Sequence, residues 1–408
     1  MNDLHIGIAG PIMIAPLKPY LEPVRASPAP LPQGLGGSPV VNLVLELLRR
    51  NRRLTVFSLD PSLDSEVVLQ GERLKICLGP YRARHRARDL FAVERDYLLQ
   101  AMQREKPDIV HAYWTYEFAL AALDSGFPVL VTAEDAPLTM LRYNFTPYRA
   151  LRALMAYRVV RRAAHMTFVS PYLAENYVKA LRYRGRTALI PNALAEEVFS
   201  FVRALPRTPS AGRLTFASAL DGWAGRKNGQ ALLQAFALVR ERLPEARLLM
   251  FGQGHGSGEG AELWAKQKRL TTGVQFAGST PYFRLLQQLR EEVDVLVHPS
   301  LEESFGMILA ECMALGIPVI AGEHGGGTRY ALEEGKAGLL TDVRAPGDLA
   351  GAMLRLANPE RRKHYSEAGA ESVRRRFGAD SMASAFENQY HDVLTTSAVS
   401  IAARQAAK

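Results

Sequence analysis

The residues of this chain best suited to chemistry lie in one short segment, Leu301-Glu302-Glu303-Ser304-Phe305-Gly306-Met307-Ile308-Leu309-Ala310-Glu311. Glu303 stands in a loop and Glu311 inside the helix that follows, eight positions on, which is about two turns at 3.6 residues per turn. Gly306 lets a ligand approach the helix start closely. A diphosphate is drawn to the positive end of a helix dipole but repelled by carboxylates, so the glutamates are suited to accept hydrogen bonds from hydroxyls instead. A polyhydroxylated phosphate ester meets both demands. The same two glutamates would also serve as a helix cap and a solvated carboxylate, and their spacing alone does not choose.

Gly225-Arg226-Lys227-Asn228-Gly229 is the second candidate. A phosphate leaving group gathers negative charge, and fixed Arg and Lys donors stabilise that charge where other enzymes use a metal. The third is Gly34-Leu35-Gly36-Gly37-Ser38-Pro39 ahead of the apolar run Val40 to Leu48. Here Ser38 suits the N-cap and Pro39 the first helical position, and backbone N–H groups at Gly36 and Gly37 suit an anion, although taken alone the segment reads more readily as a plain tight turn. His111 after Asp108-Ile109-Val110, and Glu134-Asp135 after Val129 to Ala133, complete the set.

These residues need elements that bring them to one edge. Short Val-, Ile- and Leu-rich runs alternate with longer helix-like stretches along the whole chain, the pattern of parallel sheets covered on both faces. The first sheet is expected from Leu4 to Ala9, Leu54 to Leu59, Leu74 to Leu78, Asp108 to His111, Pro128 to Thr132, Met166 to Val169 and Thr187 to Ile190. The second is expected from Arg213 to Ala217, Ala246 to Phe251, Val274 to Ala277, Asp294 to His298 and Ile317 to Ala321. Phe199 to Gly212, with Pro206, Pro209, Ser210 and Gly212, reads as the linker. This places a first domain at 1–205 and a second at 206–383, with a helix at about 384–408 packing back on the first. Residues from Ser397 on read as a frayed tail.

Size supports two domains, since 408 residues exceed one compact core. Cys77 and Cys312, the only cysteines, suit a reducing cytosol and argue against a disulfide framework or a zinc site. The start MNDLHIGIAG shows no export signal, and no apolar run is long enough to span a bilayer. The net charge of +9 implies affinity for some polyanion, and nucleic acid, anionic lipid and phosphorylated small molecules all qualify on charge alone. The partners expected are a phosphorylated small molecule and, peripherally, an anionic membrane, with no nucleic acid. Arginines crowd 82–88 and 142–162, and no acid lies from Ala136 to Ala174. At about 100° per residue, Arg149 and Arg152 fall opposite Arg158, Arg161 and Arg162. The segment is therefore expected to be an electrostatic landing site for anionic lipid or an anionic acceptor, not an inserted helix.

The carboxylate segment, with Pro299-Ser300 before it and Ala314-Leu315-Gly316-Ile317-Pro318-Val319-Ile320-Ala321 after it, resembles the E-x7-E signature of the retaining glycosyltransferases of group 1, or family four. Ile190-Pro191-Asn192-Ala193-Leu194 resembles the segment closing that family's first domain, and Gly326-Gly327 with Glu334-Gly335 and Gly338 its second-domain glycine loop. The resemblance spans nearly the whole chain. It implies a GT-B α/β fold, two Rossmann-like doubly wound domains facing a cleft, and a retaining hexosyltransferase of polysaccharide or glycoconjugate synthesis. It implies a nucleotide-diphosphate sugar as substrate, no cofactor and no metal. Glu303 would then lie at the donor sugar and Glu311 at the ribose. Arg226 and Lys227 would clamp the diphosphate, and Gly36, Gly37, Phe305, Gly306, Met307 and Ile308 would also touch the donor. His111 would be catalytic, with Tyr113, Glu134 and Asp135 at a saccharide, lipid-linked or other small acceptor.

The chain departs from that family's pattern at Tyr113, where a second histidine is usual, at Glu134, which stands for a histidine, and at Tyr330, which stands for an acid. An arginine usual before the clamp lysine is replaced by Asp221-Gly222-Trp223, with Arg226 beside Lys227. These substitutions put the sugar-contacting residue in doubt and keep a sugar-nucleotide epimerase, a phosphorylase or a non-catalytic binder as alternatives. A dinucleotide oxidoreductase is disfavoured, because Gly7-Ile8-Ala9-Gly10-Pro11 is not a Gly-x-Gly-x-x-Gly turn.

Overall fold

A computed structural model describes residues 4–22, 31–204, 213–223 and 225–406. The chain forms two compact units, Met1–Ala193 with Ala379–Lys408, and Leu194–Gly378.

The first unit holds an eight-stranded sheet. Its strands are β1 (His5–Ala9), β2 (Arg53–Asp60), β3 (Val67–Gln70), β4 (Leu74–Pro80), β5 (Ile109–Tyr113), β6 (Val129–Ala133), β7 (His165–Phe168) and β8 (Arg186–Leu189). The order is β3-β4-β2-β1-β5-β6-β7-β8, parallel except for the β3–β4 pair. β1 and β5 are buried along their whole length, as continuous apolar strands of a covered sheet must be, and they pair with Ile8 opposite His111. β3 was not expected. Val68 is exposed and Leu69 buried, so it is a half-covered edge strand whose apolar run, Val67 to Leu69, is short.

The second unit holds β9 (Thr215–Ala219), β10 (Arg247–Phe251), β11 (Val274–Gly278), β12 (Val295–His298), β13 (Val319–Gly322) and β14 (Leu339–Thr341). All pairings are parallel, in the order β11-β10-β9-β12-β13-β14. Helix Gly229–Arg242 covers this sheet with Ala231, Leu232, Ala235, Phe236 and Val239, the one-sided stripe of a 3.6-residue period. β14, three residues long, was also unexpected.

The units divide at Ala193/Leu194 and at Gly378/Ala379, both earlier than the expected 205/206 and return at about 384. The two crossing segments pair, with Leu194 N donating to Phe377 O at 2.9 Å. Residues 194–204 lie with the second unit, where helix Glu196–Ala204 buries Val198 and Arg290 donates to the Val202 carbonyl at 3.0 Å. Residues 205–212 of the expected linker lie outside the described residues.

Helix Ala379–Ala406 belongs to the first unit and extends through most of the segment read as frayed. Met382, Ala383, Phe386, Tyr390 and Val393 form its apolar stripe in that unit's core. Arg50 and Arg52 each reach Glu387 on this helix at 2.6 Å.

Candidate functional site

In the second unit β9 lies between β10 and β12, so the connections leave in opposite directions on its two sides. Ligands of open α/β sheets bind outside the carboxyl ends of strands at such a switch point. The loop after β9 carries Arg226 and Lys227, and the loop after β12 carries Glu303. Leu301 N donates to Arg226 O at 2.8 Å and Asn228 Nδ2 donates to the Pro299 and Val343 carbonyls, which ties the two loops together.

Lys227 Nζ donates to Glu303 Oε1 at 2.6 Å, His298 Nε2 lies 3.1 Å from the same oxygen, and Arg226 Nη1 is 3.7 Å away. Arg226 also bonds the Glu302 carbonyl and approaches its carboxylate at 3.3 Å. Burial alone would push the Glu303 carboxyl up. The His298 hydrogen bond and the charges of His298, Lys227 and Arg226 outweigh it and hold the group below the ordinary carboxylate range. Glu303 is therefore an anion fixed among cations. Its backbone is clamped too, since Glu303 N donates to Gly325 O at 2.9 Å and Gly327 N to Glu303 O at 2.7 Å. A Cβ on Gly327 would lie 2.1 Å from the Ser304 carbonyl oxygen, so the glycine loop must be a glycine loop.

Helix Met307–Ala314 opens on Gly306 in the left-handed region, φ 87°. Met307 and Ile308 form its partly exposed first turn, and the Phe305 side chain packs edge-on against Phe377 at 5.0 Å. Glu311, buried one side of this helix, accepts from the Tyr282 hydroxyl at 2.9 Å. Burial pushes the Glu311 carboxyl up to about 7, with the Tyr282 bond offsetting part of the rise. Tyr282 and His298 escaped the sequence reading as partners. His298 was visible five residues before Glu303, but the pairing of Tyr282 with a residue 29 positions on depends on tertiary contact.

The first unit arranges its candidates differently. Gly37 caps helix Ser38–Arg49 in the left-handed region, φ 93°, and a Cβ there would lie 2.4 Å from the Pro11 carbonyl oxygen. Ser38 is thus the first helical residue and not the cap, because the loop after β1 leaves room only for glycine before it. Gly36, φ 86°, has open space around it.

His111, read from the sequence as catalytic, lies in the core of the first unit. It is fully buried, Nδ1 lies 2.9 Å from the Tyr390 hydroxyl, and Nε2 lies 2.7 Å from Thr132 Oγ1. Burial lowers it to about 3, so it stays neutral, with both nitrogens occupied. Tyr113, its ring 4.5 Å from that of His111, is 1% exposed and likewise turned into the core, not toward an acceptor.

Glu134 and Asp135 follow the carboxyl end of β6 and are partly buried. Asn192 Nδ2 donates to Glu134 Oε2 at 2.9 Å, while the buried Oε1 has no hydrogen-bond partner among the described residues. Burial pushes this carboxyl up to about 8, Asp135 adds to the rise and Asn192 opposes it. The Tyr116 hydroxyl donates to Asp135, 2.7 Å from Oδ2. The Arg152 guanidinium sits 3.4 Å above the Tyr116 ring and 2.6 Å from Glu117. Among the described residues no group of three His, Cys, Asp or Glu is placed to hold a metal ion.

Two family models match the chain, Glycosyltransferase Family 4 over residues 38–197 and Glycosyl transferases group 1 over residues 222–372. The second match contains Arg226, Lys227, Glu303 and Glu311. D-inositol 3-phosphate glycosyltransferase of Thermomonospora curvata is 36% identical over 162 residues, 38% of this chain and 37% of that protein. N-acetyl-alpha-D-glucosaminyl L-malate synthase of Bacillus anthracis is 24% identical over 311 residues, 73% of this chain and 78% of that protein. The match to the inositol phosphate enzymes thus spans about two fifths of their length. In structure, the chain is similar to sucrose-phosphate synthase from Thermosynechococcus elongatus, with TM-score 0.74, 18% identity, and 96% and 100% of the two chains covered. Anabaena Alr3699/HepE in complex with UDP follows at TM-score 0.63, 15% identity and the same coverage. The chain belongs to the group 1, family four glycosyltransferases and has the GT-B fold.

Proposed function

We propose that this protein transfers a sugar from a nucleoside diphosphate to a hydroxyl of a saccharide, lipid-linked or other small acceptor, with retention at the anomeric carbon and without a metal. The observation that carries the reading is the cluster of Arg226, Lys227 and His298 around the Glu303 carboxylate at the switch point of the second sheet, with Glu311 in the adjoining helix. A departing nucleoside diphosphate gathers negative charge, and Arg226 and Lys227 are fixed donors that meet it without reorganisation. Backbone N–H groups at Gly306, Met307 and Ile308 face the same charge from the helix start. Glu303 holds sugar hydroxyls and Glu311 the ribose diol, since carboxylates accept what hydroxyls donate.

No side chain acts as nucleophile. The acceptor oxygen attacks the face that the diphosphate leaves, and the leaving phosphate takes the acceptor proton. Glu134 and Asp135 are the acceptor contacts. With its carboxyl pushed up to about 8, Glu134 is protonated at neutral pH and donates a hydrogen bond. Cys77 and Cys312, both buried, suit a reducing compartment.

Nucleoside diphosphate release tests the reading. Release from a nucleotide sugar in EDTA that rises when an acceptor is added supports transfer. Acceptor-independent conversion indicates an epimerase, and binding without turnover a non-catalytic receptor. Donor affinity should also follow the Glu311 carboxyl. The ribose diol needs the ionised form, which is lost as pH falls through about 7. Affinity is expected to weaken by up to about tenfold per pH unit below that point and to level off above it. Tyr282→Phe removes the bond that holds this carboxyl down, so the midpoint should move to higher pH in calorimetric titrations.

A further inference from the structure

Helices Pro137–Tyr143 and Pro147–Val160 form a hairpin in the first unit, joined through Asn144, Phe145 and Thr146. The Thr146 side chain accepts from Arg149 N and fixes the turn. Phe145 at this turn is 76% exposed, and Tyr143 on the first helix and Leu154 and Tyr157 on the second are exposed as well. Large apolar side chains gathered on one surface mark a contact with another phase or molecule.

The arginines sort by direction. Arg149 reaches the Met140 carbonyl and Arg152 pairs with Glu117, so these two turn inward. Leu154, Tyr157, Arg158 and Arg161 fall within an arc of roughly 100° on the outer side of the same helix. The poor amphipathicity read from the sequence arose from counting the inward pair with the outward one. Arg142, Arg158 and Arg161 make no ion pair among the described residues. The acids nearby are already engaged: Glu117 by Arg152, Asp124 by Arg95 and Arg162, and Asp89 by Arg82. Phe91 meets Tyr148 at 6.4 Å between ring centroids, which sets the 82–88 loop, with exposed Arg84 and Arg88, beside the hairpin.

We infer that this hairpin face docks on an anionic lipid bilayer. Aromatic rings with a polar edge settle at the headgroup level, and unpaired arginines among them meet lipid phosphates. No described helix is long and apolar enough to cross a membrane, so the contact is peripheral.

Sedimentation of the full chain with vesicles tests this directly. Vesicles of phosphatidylcholine containing phosphatidylglycerol should bind the protein, and pure phosphatidylcholine vesicles much less. Each arginine near the surface contributes about fivefold to partitioning, so Arg158→Glu with Arg161→Glu is expected to lower it by at least about 25-fold. Phe145→Ser should weaken binding to the mixed vesicles at any salt concentration. Arg361→Glu with Lys363→Glu makes the same charge change on an exposed helix of the second unit and should leave partitioning unchanged. All five side chains are at the surface, so unaltered thermal melting verifies folding. Equal loss in the second-unit pair would overturn the inference, because net charge and not this face would then drive binding. Wild-type protein that ignores anionic vesicles, or captures only an acidic protein, would overturn it as well.

Discussion

Lys227→Ala is expected to lower kcat/KM for the nucleotide sugar by about 10² to 10³-fold, the usual cost of removing one fixed donor to a developing anion. The loss should fall mainly on kcat, because the diphosphate carries most charge as its bond to the sugar breaks. Folding should survive. Glu303 keeps His298 at 3.1 Å and Arg226 at 3.7 Å, so the remaining carboxylate is not left without a counter-charge. Steady-state kinetics alongside thermal melting check this. An intact melt with unchanged kcat/KM would remove Lys227 from the reaction, and Lys227→Arg should recover part of the rate.

Glu303→Gln is expected to cost at least about 10²-fold in kcat, for a different reason. The amide presents its own N–H groups toward the Lys227 ammonium and His298, so the cationic cluster loses its centre and the sugar loses an anionic acceptor. Because Lys227 and Glu303 touch at 2.6 Å, the double variant should lose much less than the product of the two single losses. Multiplicative losses would show that the pair does not act as a unit. The substitution also has a stability signature. The Glu303 carboxyl lies below its ordinary value, so it stabilises the fold above that value and the contribution disappears as pH falls. Wild-type protein should therefore lose more of its melting temperature on acidification than Glu303→Gln does.

The sheets were legible because buried parallel strands are continuous apolar runs, and ten or more such runs with turn residues between them leave little choice of architecture. β3 and β14 were not, since one alternates at an exposed edge and the other is three residues long. The carboxylate segment and the basic loop were legible because their residue types follow strand ends at the point where the sheet order reverses. Which partners they take was not. Tyr282 reaches Glu311, and Asn192 reaches Glu134, through folding that no local pattern encodes. His111 shows the opposite failure. Its position at a strand end suggested a substrate contact, but Tyr390, 279 residues away on the last helix, takes up Nδ1 and Thr132 takes up Nε2. The strand end is roofed by an element that the local sequence does not announce.

The central claim is that Arg226 and Lys227 grip a nucleotide's diphosphate in the second unit. Calorimetric titration in EDTA of a nucleoside diphosphate and of its parent nucleoside, into wild-type protein and an Arg226→Ala, Lys227→Ala variant, tests it most directly. The account predicts that the wild type prefers the diphosphate without any metal, and that the variant loses this preference while its weak nucleoside affinity stays the same. A variant that keeps the full preference, or a wild type that binds the diphosphate only when a divalent cation is restored, would contradict it.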